Sequence, residues 1–241
     1  MTPHAHAAVL TPVREDGIAL VVAMMCVLLL MALGAALVLT TTSETAIAGN
    51  DRNSHETLYA ADAAVELAMD DLFAVTDWNT VLGGAVRSGF VDGAPGGRRT
   101  LADGSTIDLT QATNMVNCQK ITTCSSADMN AVTAERPWGS NNPQWQPYTY
   151  GRLTDLLPAG AINSPAYVVV FVADDASETD GDPLHDGADA ASNPGSGIIA
   201  LRAEAFGLRG SHRVIELTVA RTDRAGRGAA NARVLSWRDV R

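Results

Sequence analysis

Between Ile18 and Leu39 the chain carries no charged side chain, and Arg14-Glu15-Asp16-Gly17 stands directly before this run. About 22 apolar residues at ~1.5 Å rise make a helix of about 33 Å, enough to cross the hydrocarbon core of a bilayer. One end of the chain is therefore committed to lipid or to the company of other apolar helices. A generic secretory signal has a basic start, an apolar run of about 7 to 15 residues and a small-residue cleavage site after that run. Here the run is longer, and the order places the processing point before it.

That order resembles the leader of type IV pilins and pseudopilins. Further along, Gly17-Ile-Ala-Leu-Val-Val-Ala, Gly34, Thr40-Thr41-Thr42-Ser43-Glu44, Ala48-Gly49-Asn50 and Tyr59-Ala-Ala-Asp-Ala-Ala-Val-Glu66 together resemble the N-terminal region of PilX-type minor pilins. The likeness covers roughly the first 70 residues. It implies cleavage by a prepilin peptidase between Gly17 and Ile18, methylation of the new N-terminus, a leader on the cytoplasmic side and a C-terminal domain outside. The basic flanks do not orient the span independently, with one Arg14 before it and Arg52 well after it. The resemblance further implies residence in the bilayer of the inner membrane, handling by an assembly platform there, and incorporation with other minor and major pilins into an extracellular pilus (fimbrium). An ordinary single-span anchor is the plainer alternative, and it keeps its leader.

No proline occurs between Pro12 and Pro95, and the residues from Ile18 to about Leu72 are rich in helix formers. The pattern predicts one helix of about 55 residues, roughly 80 Å long. Its second half is amphipathic, with Leu58, Ala61, Val65, Met69 and Leu72 on one face and Asp62, Glu66 and Asp70 in a separate row. The acidic row reads either as a solvated face or as a meeting place for arginines of neighbouring subunits. From Gly83 to Gly104 the glycine and proline content predicts loop and linker. The segment Pro137 to Pro147, with Trp138, Trp145, Tyr148 and Tyr150 in or beside it, reads as irregular, its aromatics covering a sheet or forming an adhesive surface. Tyr167–Ala173 is a continuous apolar run suited to a buried central strand. Ile198–Phe206 and Arg213–Arg221 read as strands joined by a hairpin through Gly207–Gly210, and Val234–Val240 as an edge strand.

The resulting fold class is α+β, a long N-terminal helix packed on an antiparallel sheet, which is also what the resemblance implies. The divisions are a leader at 1–17, a membrane-spanning half helix at 18–39, an amphipathic half helix at 40–75 and a globular domain at 76–241.

The net charge of −10 argues against a nucleic-acid grip. Cys118 and Cys124 are close enough in sequence to close a short disulfide loop outside the cytoplasm, while Cys26 lies in the span. Between two predicted strands, Asp174, Asp175, Glu178, Asp180, Asp182, Asp186 and Asp189 crowd one loop. Calcium takes six to eight oxygen ligands, which such a loop can supply, and Asp180, Asp182 and Asp186 are the preferred ligands on spacing. The spacing misses the EF-hand pattern, and a solvated acidic loop fits it as well. No His-Glu-x-x-His helix and no Gly-x-Ser-x-Gly elbow is present, so no enzyme is read here.

One departure from the pilin pattern bears on function. Major pilins carry glutamate at the fifth mature position, where it is thought to pair with the N-terminal amine of a neighbour, and here that position is Val22. The resemblance then favours a minor pilin that primes assembly or caps the fibre. A tip pseudopilin of a type II secretion system and an uncleaved, membrane-anchored adhesive module are the alternatives.

Overall fold

The computed structural model describes residues 16–131, 139–157, 164–178, 180–187, 197–222 and 231–240. Residues 1–15, Pro137, Trp138 and Asp189 lie outside the described residues. The chain divides into two compact units, Met1–Gly49 and Asn50–Arg241. Helix α1, Asp16–Ala74, runs without a break, two residues longer at each end than the helix-forming composition marks.

Within the second unit, α1 is followed by the single turn α2 (Asn79–Leu82), a small ribbon of β1 (Arg98–Thr100) and β2 (Thr106–Asp108), then α3 (Leu109–Cys118) and α4 (Ser126–Ala131). The main sheet is formed by β3 (Gln146–Arg152), β4 (Tyr167–Asp174), β5 (Ile198–Phe206), β6 (His212–Thr222) and β7 (Asn231–Val240), with the short α5 (Leu153–Leu156) after β3. These five strands lie in sequence order and every neighbouring pair is antiparallel. The expected α+β architecture of a long helix on an antiparallel sheet is what the chain adopts.

Why β4 is apolar throughout follows from its two faces. Val168, Val170 and Val172 meet α1, whose Ala60, Ala61, Ala64, Val65, Ala68, Met69 and Leu72 form its buried side. Tyr167, Val169 and Phe171 meet Leu101, Leu109 and Tyr150 on the other face. A strand covered on both faces reads as a continuous hydrophobic run rather than an alternating one. Alanines on α1 keep the helix close to the sheet, and Asp62, Glu66 and Asp70 stay exposed on its outer side.

Farther along the sheet the second cover ends and the same face turns polar. The register aligns Phe171, Arg202, Glu216 and Arg238 across β4 to β7. Arg202 Nη1 donates to Glu216 Oε1 and Arg238 Nε donates to Glu216 Oε2 at 3.0 Å, so charges of opposite sign alternate from strand to strand.

Several segments depart from the sequence reading. Strand β3 occupies the end of the segment read as irregular, placing Tyr148 in the α1-side core and Tyr150 in the opposite one. Its Pro147 is tolerated because β3 is an edge strand and the register shifts between Pro147 and Thr149. The glycine-rich stretch read as linker is held by Arg99, whose guanidinium donates to the carbonyls of Asp92 (2.7 Å), Ala94 (2.6 Å) and Gly96 (3.2 Å). Asp108 caps α3 by accepting from Thr110 N and Gln111 N at 2.9 and 3.2 Å. At its other end Gln119 takes the left-handed conformation, φ +57°, that commonly stops a helix.

Cys118, the last residue of α3, is disulfide-bonded to Cys124, with Cα atoms 5.9 Å apart. By loop-entropy scaling this small ring contributes about 2 kcal/mol. Replacing both cysteines by serine should lower the unfolding free energy by about that amount. An unchanged denaturation midpoint in oxidised wild type and double variant would show that the ring adds nothing.

Candidate functional site

Two parts of the chain carry features beyond those a fold needs. In the first unit, the apolar side chains from Ile18 to Leu39 are exposed around the whole circumference of α1, Leu20, Leu28, Leu30, Leu33 and Leu37 among them. It is the helix, among the described residues, that is long and apolar enough to cross a membrane. Polar residues at the end of this stretch are made compatible with lipid by bonding back to their own helix. The hydroxyls of Thr40, Thr41, Thr42 and Thr45 donate to the carbonyls of Ala36, Leu37, Val38 and Thr41 at 2.8 to 3.0 Å. Gly17 and Ile18 lie in the first turn of α1, so the expected cleavage bond sits at the helix start. A side chain at Gly17 or at Gly34 would meet nothing within 4 Å, so packing among the described residues does not require either glycine.

In the second unit, the acidic loop follows directly from β4. Asp174 is that strand's last residue and is only 3% exposed; Glu178, four residues on, is 2% exposed. One carboxylate oxygen from each of Asp174, Glu178 and Asp186 lies within 4.8 Å of the others. Both Glu178 carboxylate oxygens accept from Gly187 N, at 3.0 and 3.2 Å. Asp186 Oδ1 accepts from Gly197 N at 2.6 Å, and its backbone N–H donates to Asn79 Oδ1 at 2.7 Å, which ties the loop to the residue before β5 and to α2. Asp174 Oδ1 is buried with no hydrogen-bond partner.

The electrostatics reflect that crowding. Burial, then the charges of Glu178, Asp186 and Asp180, push the Asp174 carboxyl up to about 8 against a backbone hydrogen bond from Asp175. Burial also raises Asp186, opposed by the Gly197 N–H and by the Arg221 guanidinium. Arg221 is itself committed to the end of α1, donating to Thr76 O at 2.9 Å and to Val75 O, and stacking 4.7 Å from the Trp78 ring.

Of the three aspartates preferred on spacing, the structure brings Asp186 into this cluster. Asp180 and Asp182 are exposed: their side chains accept from Asp182 N (3.0 Å) and Leu184 N (3.3 Å), and Asp182 pairs with His185 at 2.7 Å. Asp174 and Glu178 take the places next to Asp186. A usable signal was present for Asp174, because an acidic residue ending an otherwise apolar buried strand is carried into the interior with it. For Asn141 there was none. Its amide lies against the loop from a separate turn, with Nδ2 donating to Glu178 O and Oδ1 buried without a partner.

A long apolar N-terminal helix, packed in its second half on a five-stranded antiparallel sheet, is consistent with a pilin-like fold. Residues 16–66 match the protein-family model described as PilX N-terminal, so this stretch is similar to a PilX-type pilin N-terminal region. The match is a likeness of this N-terminal stretch to a family of type IV pilus-related pilins. Comparison with curated proteins and with solved structures finds no match.

Proposed function

We propose that the chain is a minor pilin that primes assembly of a type IV pilus or caps the fibre, acting by binding and not by catalysis. The match over residues 16–66 supports the pilin class, and Val22 carries the terminal placement. A subunit repeated along a shaft without a carboxylate at the fifth mature position would leave many N-terminal amines unpaired in an apolar fibre core. Each such burial of an unpaired charge is expensive. At a tip or in an initiating complex that arrangement is made once, and the cost does not repeat.

The apolar half of α1 serves two environments in this reading. Before assembly Ile18–Leu39 lies in the inner-membrane bilayer, and after extraction the same surface packs among the helices of neighbouring minor and major pilins. Processing between Gly17 and Ile18 separates the two stages.

Deletion of the gene should reduce the number of pili per cell while leaving the shaft structure unchanged. Complementation with Gly17→Val should fail, with mass spectrometry showing the leader still attached. Purified wild-type fibres in which this chain predominates along the shaft would overturn the placement. Mature wild-type protein that retains its leader in cells possessing the peptidase would overturn the pilin reading itself.

A further inference from the structure

We propose that Asp174, Glu178 and Asp186 form a calcium-binding site that fastens the loop after β4 to α2 and to the start of β5. Two independent observations carry it. The first is the convergence of three carboxylates from separate points of one loop, with an oxygen of each within 4.8 Å of the others. The second is the state of Asp174, which is 3% exposed and whose carboxylate, one of the three that converge, has its Oδ1 buried without a hydrogen-bond partner.

Buried carboxylate oxygens are normally satisfied, and three acidic groups at this separation repel one another strongly in a poorly solvated setting. A cation held at their centre would offset that repulsion and supply the partner that Asp174 Oδ1 lacks. Among the charged groups that act on Asp186, Arg221 is the cation, and its guanidinium is already bound to the Val75 and Thr76 carbonyls and the Trp78 ring.

The donor set selects the ion. Hard oxygen donors suit calcium or magnesium, whereas zinc sites draw on cysteine and histidine. Magnesium holds its water shell tightly and demands near-octahedral geometry, but Asp174 and Glu178 leave little solvent access for retained waters. Calcium accepts irregular coordination by carboxylates and carbonyls from a loop. Such an ion would act as a cross-link, since Asp174 closes β4 and Asp186 is already bonded to Asn79 in α2 and to Gly197 before β5.

The test uses the full chain in detergent micelles, with intrinsic tryptophan fluorescence following thermal unfolding. An ion that binds the folded state alone raises the transition with its concentration. At ~5 mM CaCl2, in the range for extracellular calcium modules, the transition should lie about 5 °C or more above that in EGTA, with a smaller shift in MgCl2. Asp174→Asn should unfold at or above the wild-type temperature in EGTA, because it removes a buried unpaired acid, and should not respond to CaCl2. Identical wild-type transitions in EGTA and CaCl2 would overturn the site, as would a calcium shift in Asp174→Asn as large as in wild type. Should that variant give no cooperative transition, calorimetric titration of the wild type with CaCl2 decides. One saturable site, abolished in Glu178→Gln, upholds the assignment, and the absence of saturable binding rejects it.

Discussion

Trp78→Ala should destabilise the second unit by about 4 kcal/mol, the middle of the range for truncating a buried aromatic. Trp78 is almost fully buried just beyond the end of α1, packed near Phe73, with its indole Nε1–H donating to Leu72 O at 3.3 Å. Removing the ring opens a cavity beneath the helix end and takes away the face on which Arg221 stacks. Arg221 would then remain partly buried with its Nε, already lacking a partner, and no aromatic surface beside it. Trp78→Phe retains most of the apolar volume and should lose about half as much. Urea unfolding of the full chain in detergent measures both, and a loss below about 1 kcal/mol for Trp78→Ala would show that the helix end is not held through this ring.

Gly207→Ala should cost about 3 kcal/mol, a large value for adding one methyl group. The backbone at Gly207 is ordinary extended chain, φ −97° and ψ −171°, so conformational strain does not enter. The reason is steric: a Cβ built at this position would lie 2.1 Å from Thr57 Oγ1 and 3.3 Å from Thr57 Cβ. Thr57 cannot swing away cheaply, because its buried hydroxyl donates to Asn53 O at 2.7 Å and meets Ser211 Oγ at 2.9 Å. The turn between β5 and β6 is thus pressed directly against α1, and a methyl there must push one away from the other. Combining Gly207→Ala with Thr57→Ala, which deletes the closest atom, should recover at least about 1 kcal/mol relative to the sum of the single losses. Strict additivity in that cycle would refute the contact as the cause.

Much of this architecture is written locally. The absence of proline and charge after Gly17 fixes a helix, and the spacing of Ala61, Val65, Met69 and Leu72 fixes which side of it is buried. Strands β4, β5 and β6 are legible from their apolar and β-branched residues. Strand β3 is not, since Pro147 and Gly151 speak against a strand in any local reading. It forms because an edge position and a bulge remove the penalty for proline, and because Tyr148 and Tyr150 each find a core on opposite faces.

The acidic loop divides in the same way. Sequence alone determines that seven carboxylates fall from the last residue of β4 to the start of β5, and that an apolar span similar to a PilX-type N-terminal region precedes the sheet. Which carboxylates converge is decided by the tertiary structure. Asp174 is drawn inside by the pairing of β4, Glu178 is turned inward by its bonds to Gly187, and Asp186 is anchored by Asn79 and Gly197, the first of these over a hundred residues away in the chain. Asp180 and Asp182, two residues apart, satisfy themselves in local turns and stay in solvent. Periodicity and composition act over a few residues and are readable one segment at a time, whereas burial depends on what the distant parts of the chain place on either side.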